Sequence, residues 1–212
     1  MIQNKRFTSL ILLPVKLTKE TIEDCFLWFL KNDFLAYDFK SNSYTELSYV
    51  LNKYPNRMGY SLQYENQACT ITYTEGEKYI INGTDANTEG AKIIGNIVHG
   101  LCATLKSISF AYIDNEGDAP NKMESYIKKL EIKWLFKYNY FGKVFIEKYG
   151  KDFFINMPCV KYEFIGDDII RIDLVKDIFD KTDEKLKTEI NDYLEKHSIK
   201  VRFYDYKQHY ID

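Results

Sequence analysis

Between Met58 and Thr74 the chain changes side-chain character at almost every residue. Met58, Tyr60, Leu62 and Tyr64 alternate with Gly59, Ser61, Gln63 and Glu65, and after Asn66 the residues Cys69, Ile71 and Tyr73 alternate with Thr70, Thr72 and Thr74. A two-residue period sends successive side chains to opposite faces, so each run reads as a strand with one face buried. The link between them is far shorter than the dozen or so residues a parallel crossover needs, so the two must pair antiparallel. Glu75-Gly76-Glu77 then turns the chain into Tyr79-Ile80-Ile81, and Asn82-Gly83 reads as a further tight turn. The result is a three-stranded meander, which commits the fold to a sheet.

The flanking segments add helices and further strands. Residues 7–15 read as a buried strand. Thr18 is placed to cap a helix over 19–31, where Ile22, Cys25, Phe26, Phe29 and Leu30 recur at helical spacing. Ser43 and Glu46 read as a capping box before a helix carrying Leu47, Val50, Leu51 and Tyr54, and Pro55 stops it. The longest helix is expected over 88–105, with Ile93, Ile94, Ile97, Val98, Leu101, Cys102 and Leu105 as one stripe. Gly90, Gly95 and Gly100 interrupt it, as close packing on a sheet would require. Ile108, Phe110 and Tyr112 suggest a strand, and the polar segment 114–122 a long exposed loop or linker.

Beyond that loop, Leu130, Ile132, Trp134, Phe136, Tyr138 and Tyr140 alternate with Glu131, Lys133, Leu135, Lys137 and Asn139. This predicts one long strand with its rings inward and its lysines in solvent. A short helix over 142–149 stops at Gly150, and residues 160–174 read as a hairpin turning at Gly166-Asp167. Asp183 and Glu184 open a last helix, and 199–206 return to strand. Strands in runs, joined by hairpins and interrupted by helices, predict an α+β fold. Its core would be a largely antiparallel sheet with helices packed on it, in a single domain spanning 1–212.

Composition narrows the function classes. Hydrophobic residues at 45% and charged residues at 28% exclude a disordered polymer. A formal charge of −2 lacks the cationic surplus of a general nucleic-acid binder. The apolar run after Lys5 and Arg6 is short, is broken by Pro14 and has no small-residue cleavage site, so it reads as a strand rather than a secretion signal. No apolar run approaches the roughly 18 residues of a membrane helix. The expectation is a cytoplasmic protein with no membrane partner. Cys25, Cys69, Cys102 and Cys159 lie dozens of residues apart in apolar segments and read as buried free thiols.

No motif organises the candidate catalytic groups. His99, His197 and His209 are isolated, and no His-Glu-x-x-His, nucleophile elbow, kinase signature or phosphate-binding glycine loop occurs. The sequence therefore assigns no catalytic residue, no metal ligand and no cofactor. Its charge is segregated. Residues 122–151 carry eight lysines against Glu124, Glu131 and Glu147, a net of +5, and residues 163–195 carry eleven acids against five bases, a net of −6. Lysines interleaved with aromatic rings superficially suit single-stranded nucleic acid. Strict alternation, however, puts rings and lysines on opposite faces, so no nucleic-acid partner is assigned. Within the acidic stretch, Asp167, Asp168, Asp173, Asp177 and Asp180 are the candidate docking residues for a basic protein partner. An enzyme whose site assembles from distant residues is the first alternative, and a single-stranded nucleic-acid binder the second.

The run Met58-Gly59-Tyr60-Ser61-Leu62, the Glu-Gly-Glu turn and Ile81-Asn82-Gly83 before a helix resemble the first half of bacterial immunity proteins of polymorphic toxin systems. Lys133-Trp134-Leu135-Phe136-Lys137-Tyr138, Tyr140-Phe141-Gly142, Tyr149-Gly150-Lys151-Asp152-Phe153 and Met157-Pro158 resemble their tryptophan strand and the segment after it. The likeness spans roughly residues 58–175. It implies a protein that neutralises a cognate protein toxin by binding it, with no catalytic residues of its own.

Overall fold

Strand β1 (Arg6–Leu12) is the element against which the two halves of the chain assemble. The computed structural model describes residues 6–55, 57–105, 108–115 and 123–204. After β1 come α1 (Lys19–Lys31), β2 (Leu35–Asp38), β3 (Ser43–Glu46), α2 (Leu47–Lys53), β4 (Gly59–Tyr64), β5 (Gln67–Tyr73), β6 (Tyr79–Asp85) and α3 (Thr88–Leu105). The second half holds β7 (Phe110–Asn115), α4 (Met123–Lys128), β8 (Trp134–Leu135), β9 (Tyr138–Phe141), α5 (Lys143–Tyr149) and α6 (Lys151–Ile155). It closes with β10 (Lys161–Ile165), β11 (Ile169–Asp173), α7 (Glu184–Lys196) and β12 (Arg202–Phe203).

Ten strands form one sheet in the order β10-β11-β9-β7-β1-β6-β5-β4-β2-β3, with every neighbouring pair antiparallel. This is the α+β architecture expected from the runs of strands. Because β6 and β7 are each antiparallel to β1, they are parallel to one another. A parallel pair needs a long crossover, and α3 supplies it. β8 and β12 pair separately, in parallel.

Helices pack on both faces of the sheet, though the outward residues of β5 (Ala68, Thr70 and Thr72) stay exposed. On one face α1, α2 and α3 pack through Phe29, Val50, Ile94 and Leu101 onto Phe7, Ile11, Leu62 and Ile71. On the other face α4 to α7 pack through Ile127, Phe145, Phe154 and Leu194 onto Leu12, Phe110, Phe141 and Ile172. Alternation along β1 serves both layers: Phe7 and Ile11 belong to the first core and Leu12 to the second. Helix α1 begins where the sequence places it, with the Thr18 side chain accepting the Thr21 N–H at 3.2 Å.

Several expectations are corrected. Ser43 and Glu46 are not a capping box. They bound β3, which pairs with β2, and α2 starts only after Glu46 without a side-chain cap. Asn82-Gly83 is not a turn either. Both residues lie within β6, flanked by β1 and β5, and Asn82 is buried opposite Ser9. Thr84 and Asp85 extend the strand, and Asn87 then receives the Gly90 N–H at 2.7 Å at the head of α3.

The Trp134 ribbon is broken in two. The Asn139 side chain accepts from the Phe136 N–H at 2.8 Å and donates to the Phe136 carbonyl at 2.7 Å, closing a tight turn between β8 and β9. Leu135, Phe136, Asn139 and Tyr140 are all buried, so the strict inside–outside alternation is lost. Lys137 is not simply solvated, because its Nζ donates to the Ile178 carbonyl. The final strand is only Arg202–Phe203, and residues 205–206 lie outside the described residues. Likewise 116–122 of the expected loop lie outside them, while Asp114 and Asn115 belong to β7.

The three glycines of α3 have different surroundings. A Cβ on Gly100 would lie 2.2 Å from the Trp28 ring of α1, and one on Gly90 would lie 2.0 Å from the Asp85 carbonyl oxygen. Close packing is therefore against α1 at Gly100 and against the end of the sheet strand β6 at Gly90. Gly95 has no neighbour within 4 Å of such a Cβ. Gly95→Ala should stabilise the protein by up to about 1 kcal/mol through helix propensity. Gly100→Ala should cost about 1–3 kcal/mol by forcing α1 and α3 apart. Urea midpoints of the two variants that shift in the same direction would contradict this packing.

Candidate protein-binding surfaces

The acidic residues singled out from the sequence do not form one surface. Asp167 and Asp168 sit in the turn between β10 and β11, with Asp168 3.5 Å from Lys143 Nζ. Asp173 lies at the far end of β11, only 6% exposed, and accepts from Arg171 Nε at 2.7 Å. Arg171 extends over the Tyr138 and Tyr140 rings at 4.7 and 5.6 Å. Burial holds the Asp173 pKa above the usual carboxylate value despite the pull of Arg171.

Asp177 and Asp180 are exposed, but their carboxylates also shape the backbone. Asp180 accepts the Asp177 N–H at 3.1 Å, and Asp177 accepts the Phe179 N–H at 3.0 Å. Burial, with the charges of Asp173, Asp177 and Asp180 nearby, pushes the Tyr138 hydroxyl up to about 12. The fold thus gathers Asp173, Asp177 and Asp180 around Tyr138, and leaves Asp167 and Asp168 together at the other end of the strand.

A second surface, not singled out from the sequence, lies at the opposite end of the sheet around the β2–β3 hairpin. Its foundation is Asp38, the last residue of β2, with only 1% exposure. The Asp38 carboxylate accepts from Lys53 Nζ at 2.8 Å, Tyr54 OH at 2.8 Å, Ser41 Oγ at 3.0 Å and the Lys40 N–H at 3.1 Å. The Lys53 hydrogen bond is the largest influence holding its pKa far below the usual carboxylate range. Four donors from the hairpin loop and α2 on one carboxylate fix the two elements to each other.

The aromatic side chains of this surface stand on that foundation. The Arg57 guanidinium lies between the Phe39 and Tyr54 rings, 4.4 Å from each centroid. It has no carboxylate partner among the described residues. Phe39 is 57% exposed, Tyr49 51% and Met58, next in the chain to Arg57, 63%. Tyr37 meets Phe39 edge-on at 5.0 Å and Tyr44 at 5.3 Å. Stacking on two rings holds the guanidinium plane in place, an arrangement suited to capturing a carboxylate. The available sequence signal was density: six tyrosines fall between residues 37 and 64. Nothing in the spacing said that a hairpin, a helix and a loop would bring them to one place.

Other groups are accounted for by packing. A shallow cleft of about 200 Å³ on the outer face of β4, β5 and β6 is lined by Arg6, Tyr44, Ser61, Thr70, Gly83 and Asp85. His197 ends α7 and packs edge-on against Phe153 at 5.0 Å. His209 lies outside the described residues. Cys25, Cys69 and Cys102 are buried free thiols, and burial pushes the first two up to about 12. Cys159 is half-buried and also unpaired. Among the described residues, no three His, Cys, Asp or Glu side chains gather as a metal site would need. Nor is any described helix long and apolar enough to cross a membrane.

The chain matches no protein-family model and no curated protein. Among solved structures it is similar to the Pseudomonas aeruginosa T6SS protein PA0821, with a TM-score of 0.55 and 9% identity over 90% of this chain and 72% of that one. At this identity the likeness is one of fold.

The Asp38 foundation makes the surface acid-sensitive. A carboxylate with a depressed folded-state pKa contributes its full stabilisation above its unfolded pKa, near pH 4, and loses it as the pH falls toward the folded value. Asp38→Asn should therefore be less stable than the parent at about pH 7, and the gap between their denaturation midpoints should narrow by about pH 2–3. A gap that widens on acidification would show that Asp38 is not held as a charged acceptor.

Proposed function

We propose that this chain is an immunity protein that binds a bacterial protein toxin and neutralises it by occupying its surface. The observation that carries the reading is the Arg57 surface. Binding energy at protein interfaces concentrates in a few Trp, Tyr and Arg residues held rigid before contact. Here a guanidinium with no carboxylate partner among the described residues, two stacking rings and exposed Phe39, Tyr49 and Met58 stand on a four-donor carboxylate. A blocker needs such a surface and no chemistry of its own. The fold shared with a bacterial T6SS protein supports a toxin-system setting for this chain.

Two kinds of residue have distinct roles in this reading. Arg57 and Phe39 are the anchors, which set how long the complex lasts. Asp167 and Asp168, exposed or half-exposed in the β10–β11 turn, act at longer range by attracting a basic toxin. The partner is sought by co-expressing the chain with toxic products of adjacent genes and asking which one it detoxifies and co-purifies with. For that pair, Arg57→Ala should speed dissociation by about 10- to 100-fold. Asp167→Lys with Asp168→Lys should slow association several-fold, mainly at low salt. Failure of every adjacent product to bind, or an Arg57→Ala variant with unchanged dissociation, overturns the reading.

A further inference from the structure

Strand β10 is one of the two edges of the ten-stranded sheet and pairs only with β11, so half of its backbone donors and acceptors face outward. The edge carries the charged side chains that commonly guard such strands, and large apolar ones beside them. Tyr162 and Phe164 are 44% and 37% exposed on one face. On the other face Lys161 is exposed and Glu163 half-exposed, with Nζ and Oε2 2.9 Å apart. Read along the chain, the edge is cation, aromatic, anion, aromatic.

We propose that β10 pairs with β10 of a second copy of this chain about a two-fold axis through Tyr162, joining two sheets into one. Such an axis, perpendicular to the sheet, runs the two edges antiparallel and pairs only residues that share a face. Centred on Tyr162, it sets each Lys161 opposite the Glu163 of the other copy. It also brings the two Tyr162 rings together, with a Phe164 on the same face to either side. Both lysines and both glutamates then form an alternating four-charge array, and the four rings of Tyr162 and Phe164 form one patch.

The register follows from charge. Centring the axis on Lys161 sets lysine against lysine, and centring it on Glu163 sets glutamate against glutamate. Only Tyr162 at the axis makes every pair complementary. This commits the edge to a copy of the same chain, because its charge order is its own complement when reversed. The partner edge lies at the opposite end of the sheet from the β2–β3 hairpin. A dimer built this way therefore carries its two Arg57 surfaces at its far ends, and its existence does not depend on the toxin-binding reading.

The test is molar mass in solution, by light scattering on a sizing column and by sedimentation over a wide concentration range. The full chain should move with concentration from its 25.1 kDa monomer mass to twice that mass. Lys161→Glu alone and Glu163→Lys alone should each set like charges against each other and weaken the dimer at least about tenfold. The double variant Lys161→Glu with Glu163→Lys reverses the order of charges and should restore it. Circular dichroism melts on all three establish that each is folded. A monomer at every concentration, a dimer indifferent to the single reversals, or a double variant that fails to recover overturns the proposal.

Discussion

The structure depends on one strand being satisfied in every direction. β1 gives its backbone to β6 on one side and to β7 on the other, and its side chains to a core on each face. Phe7 and Ile11 have no exposure, and Leu12 has 3%. A seven-residue segment in this position has no free edge and only Arg6 in the open, so its burial draws on both halves of the chain at once. The α3 crossover is the consequence. Once β6 and β7 both pair with β1, the chain between them must travel the length of the sheet, and a helix of 18 residues does so while covering the strands beneath. The contact between Gly100 and Trp28 then sets how closely α1 can follow.

The sheet has unlike ends. At the β10 end, opposite charges and apolar side chains lie along an open edge. At the β3 end, a buried carboxylate ties a short hairpin to α2, and the aromatic residues outside it inherit that rigidity. Rigidity matters for recognition because the entropy of ordering a side chain is lost before the partner arrives rather than at contact. The acids near β11 illustrate the converse. Asp173 is committed to Arg171, and Asp177 and Asp180 to backbone N–H groups, so much of the local negative charge serves the fold first.

Much of the fold was legible because it is local. Thr18 and the α1 stripe, the β4–β5–β6 meander, α3 and the β10–β11 hairpin each follow from a period of two or of 3.6 with a cap or turn residue beside it. Failures came where a longer-range partner outweighed a local signal. Ser43 to Glu46 looks like a helix start, but β2 offers those backbone groups a ladder. Asn82-Gly83 looks like a turn, but β1 and β5 hold it straight from both sides. The Trp134 ribbon looks continuous, but one buried amide, Asn139, folds the chain at Phe136.

The amino-acid order alone determined the class of fold, the strand pairs joined by short links and the helices with clear stripes, because those depend on contacts a few residues apart. Tertiary structure decided which strands lie in the middle, which acids face water and where Arg57 finds its two rings. Those outcomes depend on segments distant in sequence sharing one volume, and periodicity carries no information about which of them will meet.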